Sequence, residues 1–320
     1  MKIRLNLFLI VKIAFAGLII TWLIRSGHLD FSQVAKALNP SHALIISAIY
    51  MLSFLLVSER FRRLLKTQKV DLSPWEGWKL FSIGLFFNFL IPGSVGGDLV
   101  KAYYLQKEQG HQSASSPYTI LLDRAIGLFC LMLVGLFSLF FNWSVVKENA
   151  PLLTTMTLLF VVLCGILGLA AAGFSKKIRH VAFHLIPEKW LRIRNVMKSF
   201  LMGFEFYAQH PITLLIALGM TFVAQFLVIL AMYIASYAAG FEVPIAIFFF
   251  VVPVGIAISG LPLALPGGIG IGQAAFLVLF NMILGYESTV GPTIVTIHQI
   301  ICITLSLQGL IFYLLRKKPA

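Results

Sequence analysis

Charged side chains are scarce in this chain of 320 residues: Asp, Glu, Lys and Arg together make 12% of it, against 59% hydrophobic residues. A soluble domain of this length has no core large enough to hide so much apolar sequence, so that class is excluded. Cysteine is scarcer still. Cys130, Cys164 and Cys302 lie far apart in apolar runs, which excludes a disulfide framework or a cysteine metal site and leaves them as small buried hydrophobes. Catalytic signatures are missing too. No HExxH, CxxC, Walker A or GxSxG pattern occurs, so no enzymatic constellation is indicated and neither metal nor cofactor is expected. The glycines between Pro266 and Gly272 have dinucleotide-like spacing, but an apolar run surrounds them and no βαβ unit follows.

Apolar runs are what the chain has in abundance. They lie near residues 5–24, 42–57, 80–97, 119–141, 152–174, 211–238, 244–265, 267–285 and 293–315. Several reach the length that suits a hydrocarbon slab ~30 Å thick. They are continuous and rich in Leu, Ile, Phe and Ala, not the short alternating segments of a spanning β-barrel. The expected class is an all-α polytopic membrane protein. Lys2 and Arg4 before the first run resemble a signal peptide, but Lys12 interrupts the run and apolar sequence continues to Ile24. That pattern reads as an uncleaved first span.

The net charge of +13 would suggest nucleic acid in a soluble protein. Here the basic residues flank apolar runs, so they speak for membrane orientation and anionic inner-leaflet lipid, and no nucleic-acid partner is expected. Of 25 Lys and Arg, 21 fall in residues 1–12, 58–79, 98–118, 174–210 and the C-terminal end. Placing these in the cytoplasm puts both termini there, in the inner membrane, and fixes the topology. Runs 5–24, 42–57, 119–141, 152–174, 211–238 and 293–315 cross. Run 80–97 must enter and turn back, or the segment 174–210 would face the wrong side. Residues 239–292 contain no Lys or Arg and form a second hairpin from outside.

Both turn-back points fall on breaker residues. The first reads Ile91-Pro92-Gly93-Ser94-Val95-Gly96-Gly97-Asp98, and the second runs from Gly260 to Gly270 through Pro262, Pro266, Gly267 and Gly268. Proline removes a backbone donor and glycine releases helical geometry. In lipid, such backbone survives only where protein or a polar cavity satisfies it. Re-entrant hairpins and kinked spans are the two readings, and two breaks in matching places favour the first. The chain then forms one integral membrane domain over 1–320: six crossing helices plus two re-entrant or broken hairpins, with repeats over about 42–141 and 211–315. The hairpins open from opposite sides, which makes an inverted repeat of the kind secondary transporters use. Residues 175–210 link the halves in the cytoplasm, with an amphipathic stretch at 187–205. Residues 59–69 look similar, with Phe61, Leu64 and Leu65 against a basic face.

The breaks create the candidate site. After each Pro/Gly turn a helix starts near mid-bilayer, with unpartnered amides and a positive dipole end suited to a phosphate or carboxylate. Pro92 and Pro266 set the turns, and Gly93, Gly96, Gly97, Gly267, Gly268 and Gly270 would let a head group approach the backbone. Asn88 lies one turn before Pro92, Asp98 and Lys101 open the leaving helix, and Asp123 and Arg124 begin an apolar run. Intramembrane ions are expensive and mark either a pathway or a buried pair. In the pair reading, Asp98 or Asp123 neutralises Arg124. In the binding reading, Arg124 and Lys101 hold an anionic head group that Asp98 or Asp123 tunes. Gln273, His298 and Gln299 are the polar groups of the second half, and interhelical hydrogen bonds are their plainer role.

The stretch from Asn88 through Pro92 and Gly96-Gly97-Asp98 to Lys101, then Asp123-Arg124, then Pro266-Gly267-Gly268-Ile269-Gly270, resembles the flippase-like transmembrane domain family. This is the membrane domain of lysylphosphatidylglycerol synthases, also found alone. The resemblance covers nearly the whole chain. Members with a C-terminal catalytic domain transfer an aminoacyl group to phosphatidylglycerol and flip the product outward. This chain ends at Ala320, so the resemblance implies a stand-alone member without that domain. It also implies lipid translocation, or handling of a lipid-linked intermediate. Family members often carry an acidic residue shortly after the PGGxG element, where this chain has Gln273. The expectation is a flippase for an anionic phospholipid or a polyprenyl-phosphate-type lipid. The alternatives are a non-transporting scaffold for lipid or envelope-glycan modification and, more weakly, a membrane-embedded transferase. Membrane lipids are the expected partners, with a second copy of the chain or a lipid-modifying enzyme as the protein partners considered.

Overall fold

The structure, a computed structural model, describes residues 17–91, 96–109, 116–141, 150–174, 209–260 and 265–316, together with 143, 147, 148, 206 and 207. These are helical almost throughout and contain no strand. In chain order the helices are α1 (17–25), α2 (Phe31–Ala37), α3 (Pro40–Thr67), α4 (Pro74–Leu90), α5 (Gly96–Gln109), α6 (Ser116–Phe141), α7 (Ala150–Phe174), α8 (Pro211–Ala238), α9 (Ile245–Ser259), α10 (Ile271–Leu284) and α11 (Val290–Leu315). Four described helices are long and apolar enough to cross a membrane: Pro40–Thr67, Tyr118–Phe140, Pro211–Ala238 and Val290–Leu315. The protein is therefore a multi-pass membrane protein. Helix α7, with 25 residues, has the length as well.

Local sequence sets these boundaries. Pro occupies the first turn of α3, α4 and α8, where its missing N–H costs nothing. Helix α4 opens on a capping box: the Glu76 N–H donates to Ser73 Oγ at 3.2 Å and the Ser73 N–H donates to Glu76 Oε2 at 2.8 Å. Helix α2 is capped by Asp30. Hydrogen bonds from the side chain and backbone of Ser32 hold the Asp30 carboxyl below its ordinary value.

Helices α4, α5, α9 and α10 hold 17, 14, 15 and 14 residues. At 1.5 Å per residue each reaches only about 21–26 Å, short of the hydrocarbon slab. They pair as two hairpins, α4 with α5 and α9 with α10. In the first, Gly84 faces Gly97 and Lys101 while Ile91 faces Gly96; in the second, Gly255 faces Phe276 and Ser259 faces Gly268. Numbers fall on one helix as they rise on the other, so both hairpins are antiparallel. Both turn centres, 92–95 and 261–264, lie outside the described residues.

The hairpins sit in a frame of long helices. Helices α3 and α8 form the most extensive pair. Helix α4 lies along α11, where Gly309 fits against the Ser82 backbone, and α10 also packs on α11, where Gly291 fits against the Phe276 backbone. Helix α9 lies along α6. Small residues at such crossings let backbones approach, which is how helices associate without a hydrophobic driving force.

Two sequence expectations change. Residues 59–69 are not a separate interfacial helix, because α3 continues unbroken to Thr67. Phe61, Leu64 and Leu65 are buried, as their spacing implied, but against protein and not against a lipid surface. Cys130 and Cys302 are buried, whereas Cys164 is exposed on α7. The amphipathic stretch 187–205 and most of the first apolar run lie outside the described residues.

Candidate functional site

The first hairpin is held by one backbone contact and a charge cluster. A Cβ on Gly97 would overlap the Gly84 carbonyl, so only glycine lets α5 start this close to α4. Asn88, in the last turn of α4, accepts the Gly97 N–H on Oδ1 at 2.9 Å. That side chain satisfies one of the amides expected to stand open at the helix start. Asp98 lies in the first turn of α5, where the helix dipole favours a carboxylate. It makes two ion pairs. Oδ2 accepts from Arg124 Nε on α6, and Oδ1 stands 4.0 Å from Lys101 Nζ. The Lys101 ammonium also lies over the Phe61 and Phe81 rings, at 5.0 and 5.2 Å from their centroids, a favourable place for a desolvated cation.

A second buried pair lies beside this one. Arg60 on α3 donates from Nε to Asp123 Oδ1 at 2.8 Å, from Nη1 to Thr221 Oγ1 at 2.8 Å and from Nη2 to the Asp123 carbonyl at 3.3 Å. The side chains are only 5% and 12% exposed. Asp98 and not Asp123 therefore neutralises Arg124. Arg60, counted from sequence among cytoplasmic loop charges, is a buried structural cation. Its position four residues before Leu64 places it on the inward face of α3 with Phe61 and Leu65, and that spacing was the available signal.

The second hairpin uses neutral groups. Pro266 opens a single 3₁₀ turn, Pro266–Gly268, ahead of α10. Gly267, Gly268 and Gly270 have φ of +69°, +75° and +85°, a region that admits glycine and few other residues. Gln273 reaches back to accept the Gly270 N–H on Oε1 at 2.8 Å and donates from Nε2 to Gln299 Oε1 at 2.6 Å. Gln299 in turn donates to the Gly267 carbonyl at 3.1 Å. This closed chain locks the turn to α11 and satisfies polar backbone that lipid could not. His298 sits 2.7 Å from Tyr50 Oη through Nδ1, tying α11 to α3, so both glutamines and the histidine do make the interhelical bonds expected of them.

Between the two hairpins lies a cavity of about 220 Å³. Leu85, Asn88 and Phe89 of α4 line one side, with Arg124 of α6. Ile256, Ser259 and Gly260 of the α9 end, with Gly267, Gly268 and Phe276, line the other, and Val295, His298 and Gln299 of α11 close it. The Arg124 side chain is 40% exposed, the most accessible cation of the cluster. Of the predicted site residues, Asn88, Arg124, Gly267 and Gly268 line this cavity. Asp98 and Lys101 support it from behind through Arg124. Gly96 and Gly97 serve helix packing, Gly270 and Gln273 hold the second turn, Pro266 shapes it, and Asp123 belongs to the neighbouring pair. Pro92 and Gly93 lie outside the described residues. Ser259 and Phe89 were not anticipated; neither carries a sequence signal that separates it from other apolar-run residues.

Charged and neutral helical hairpins thus close on a mostly apolar cavity inside an apolar helical bundle. The family model described as "Lysylphosphatidylglycerol synthase TM region" matches residues 9–309. The chain belongs to this family, a membrane domain linked to lipid handling. No curated protein and no solved structure matches it.

Proposed function

We propose that the protein is a lipid flippase that moves an anionic phospholipid or a polyprenyl-phosphate-type lipid across the inner membrane. The observation that carries this reading is the cavity between the hairpins, with one accessible arginine in a lining otherwise apolar or neutral. A phosphate would be held by Arg124 and Asn88 while its acyl or prenyl chains stay in lipid. The hairpins are re-entrant, one from each side, and six helices cross with both termini in the cytoplasm. The two halves form an inverted repeat, and the helix packing supports it. Exchanging α3, α4, α5 and α6 for α8, α9, α10 and α11 maps every packed pair among them onto another packed pair. One half then rocks against the other to open the cavity alternately. No catalytic step is assigned.

The test is transbilayer movement in proteoliposomes, measured for phosphatidylglycerol, a polyprenyl phosphate and phosphatidylcholine. Accelerated movement of an anionic lipid is expected, lowered by roughly tenfold or more in Arg124→Met, the effect of losing one charged hydrogen bond. Normal insertion of that variant with unchanged transport, or no acceleration of any anionic lipid, overturns the reading.

A further inference from the structure

A second cavity, also of about 220 Å³, lies at the seam between the C-terminal end of α3 and the N-terminal end of α8. Arg63, Lys66 and Thr67 of α3 line one side, and Thr213 and Ile216 of α8 line the other. It shares no lining residue with the cavity between the hairpins. Its walls are held in place. Tyr207, just ahead of α8, donates from Oη to the Leu64 carbonyl at 2.7 Å, and Gln68 Nε2 donates to the same Oη at 3.3 Å. Thr67 Oγ1 donates to the Leu64 carbonyl at 2.7 Å.

The cavity offers hydrogen-bond donors. A guanidinium carries five N–H groups in a planar fork, and Arg63 meets Glu59 through Nε at 2.8 Å. Arg62 holds the same carboxylate with two bonds. The Lys66 ammonium stands 3.8 Å from Asp71 Oδ2, beyond a hydrogen bond. Thr213 lies in the first turn of α8, where the helix dipole favours an anion. Away from this end the surface turns apolar. Leu52 and Leu55 share the helical face of Arg63 and Lys66, and Ile212, Ile216 and Val223 form a stripe on α8; all five are exposed. Cationic donors at a helix end, with apolar surface running from them into the bilayer, suit a phospholipid and not a soluble anion.

We propose that this seam binds an anionic phospholipid of the leaflet at that end, the inner one on the proposed topology. Its phosphodiester accepts from Arg63, Lys66 and Thr213, and an acyl chain runs past Ile216, Val223 and Leu52. A choline head group would bring its own cation against both basic side chains, whereas a glycerol head group would not. The lipid bridges α3 and α8, the most extensive helix pair of the fold. The site is separate from the cavity at Arg124 and does not depend on transport through it.

The test is native mass spectrometry of the purified full-length protein from mixed micelles holding equal amounts of phosphatidylglycerol and phosphatidylcholine. Wild type and Arg124→Met should both retain phosphatidylglycerol in preference. Arg63→Gln with Lys66→Gln, added to Arg124→Met, should lower that preference on the order of 30-fold, about fivefold for each cation. Arg63→Lys with Lys66→Arg on the same background keeps both charges and should keep the preference, which separates charge from damage to the fold. No preference in the wild type, its loss in Arg124→Met alone or in the charge-keeping pair, or its survival in the charge-removing pair overturns the site. Inorganic phosphate at millimolar concentration separates a lipid from a free anion: unchanged retention supports the lipid, and displacement overturns it. Because Arg124→Met carries the test of transport, the seam stands or falls without the flippase reading.

Discussion

The two hairpins solve the same problem with different chemistry. Each must bury a helix start inside an apolar bundle. The first does it with ions, placing Asp98 between Arg124 and Lys101. The second does it with amides, passing hydrogen bonds from Gly270 through Gln273 and Gln299 to Gly267. Ionic partners can be exchanged for a ligand of the right charge, whereas a closed amide chain has nothing to exchange. On the proposed function, the difference would give recognition to the first hairpin and shape to the second.

The largest effects should come from the charged side. Removing one member of the Arg60–Asp123 pair, as in Arg60→Met or Asp123→Leu, leaves the other buried alone and should cost about 3–5 kcal/mol. Unfolding in a detergent titration reads this, and the double variant should recover most of it. A mild effect of the single changes would mean that water reaches the pair. Next comes Gly97→Ala, which forces α4 and α5 apart at the Gly84 carbonyl and should cost about 1–3 kcal/mol. Gly219→Ala, at a position where an added Cβ meets nothing within 4 Å, should stay within about 0.5 kcal/mol. On the neutral side, Gln273→Leu leaves the Gly270 N–H and one side of Gln299 unsatisfied, for about 1–3 kcal/mol. It should leave the lipid charge preference untouched; a changed preference would break the division of labour. Ser73→Ala, which opens the capping box of α4, should cost about 1 kcal/mol.

The helical membrane class, the two breaks and the ionic pairing at Arg124 could be read from the sequence because each rests on local composition. Runs of Leu, Ile and Phe mark the apolar helices, and Pro266 marks the turn before α10. The sequence offered Asp98 and Asp123 alike as the partner of Arg124; the structure gives Asp123 to Arg60 and Asp98 to Arg124. What could not be read depends on partners far along the chain. Arg60 looked like one more loop cation because Thr221 lies 161 residues away. The glycines of the first turn suggested an open cradle, yet Gly97 is spent on its neighbour's backbone and its amide on Asn88. Helix packing, not ligand approach, fixes that residue type.

The seat of α4 on α11, where Gly309 meets the Ser82 backbone, bears on how the protein is made. Synthesis runs from the N-terminus, so Ser82 emerges 227 residues before the Gly309 that packs on it. Until α11 is inserted, Asp98, Lys101 and Arg124 have no finished wall around them. We expect a nascent chain stopped before residue 309 to keep α4 open to protease, and the charged half of the site to be completed last although it is translated first.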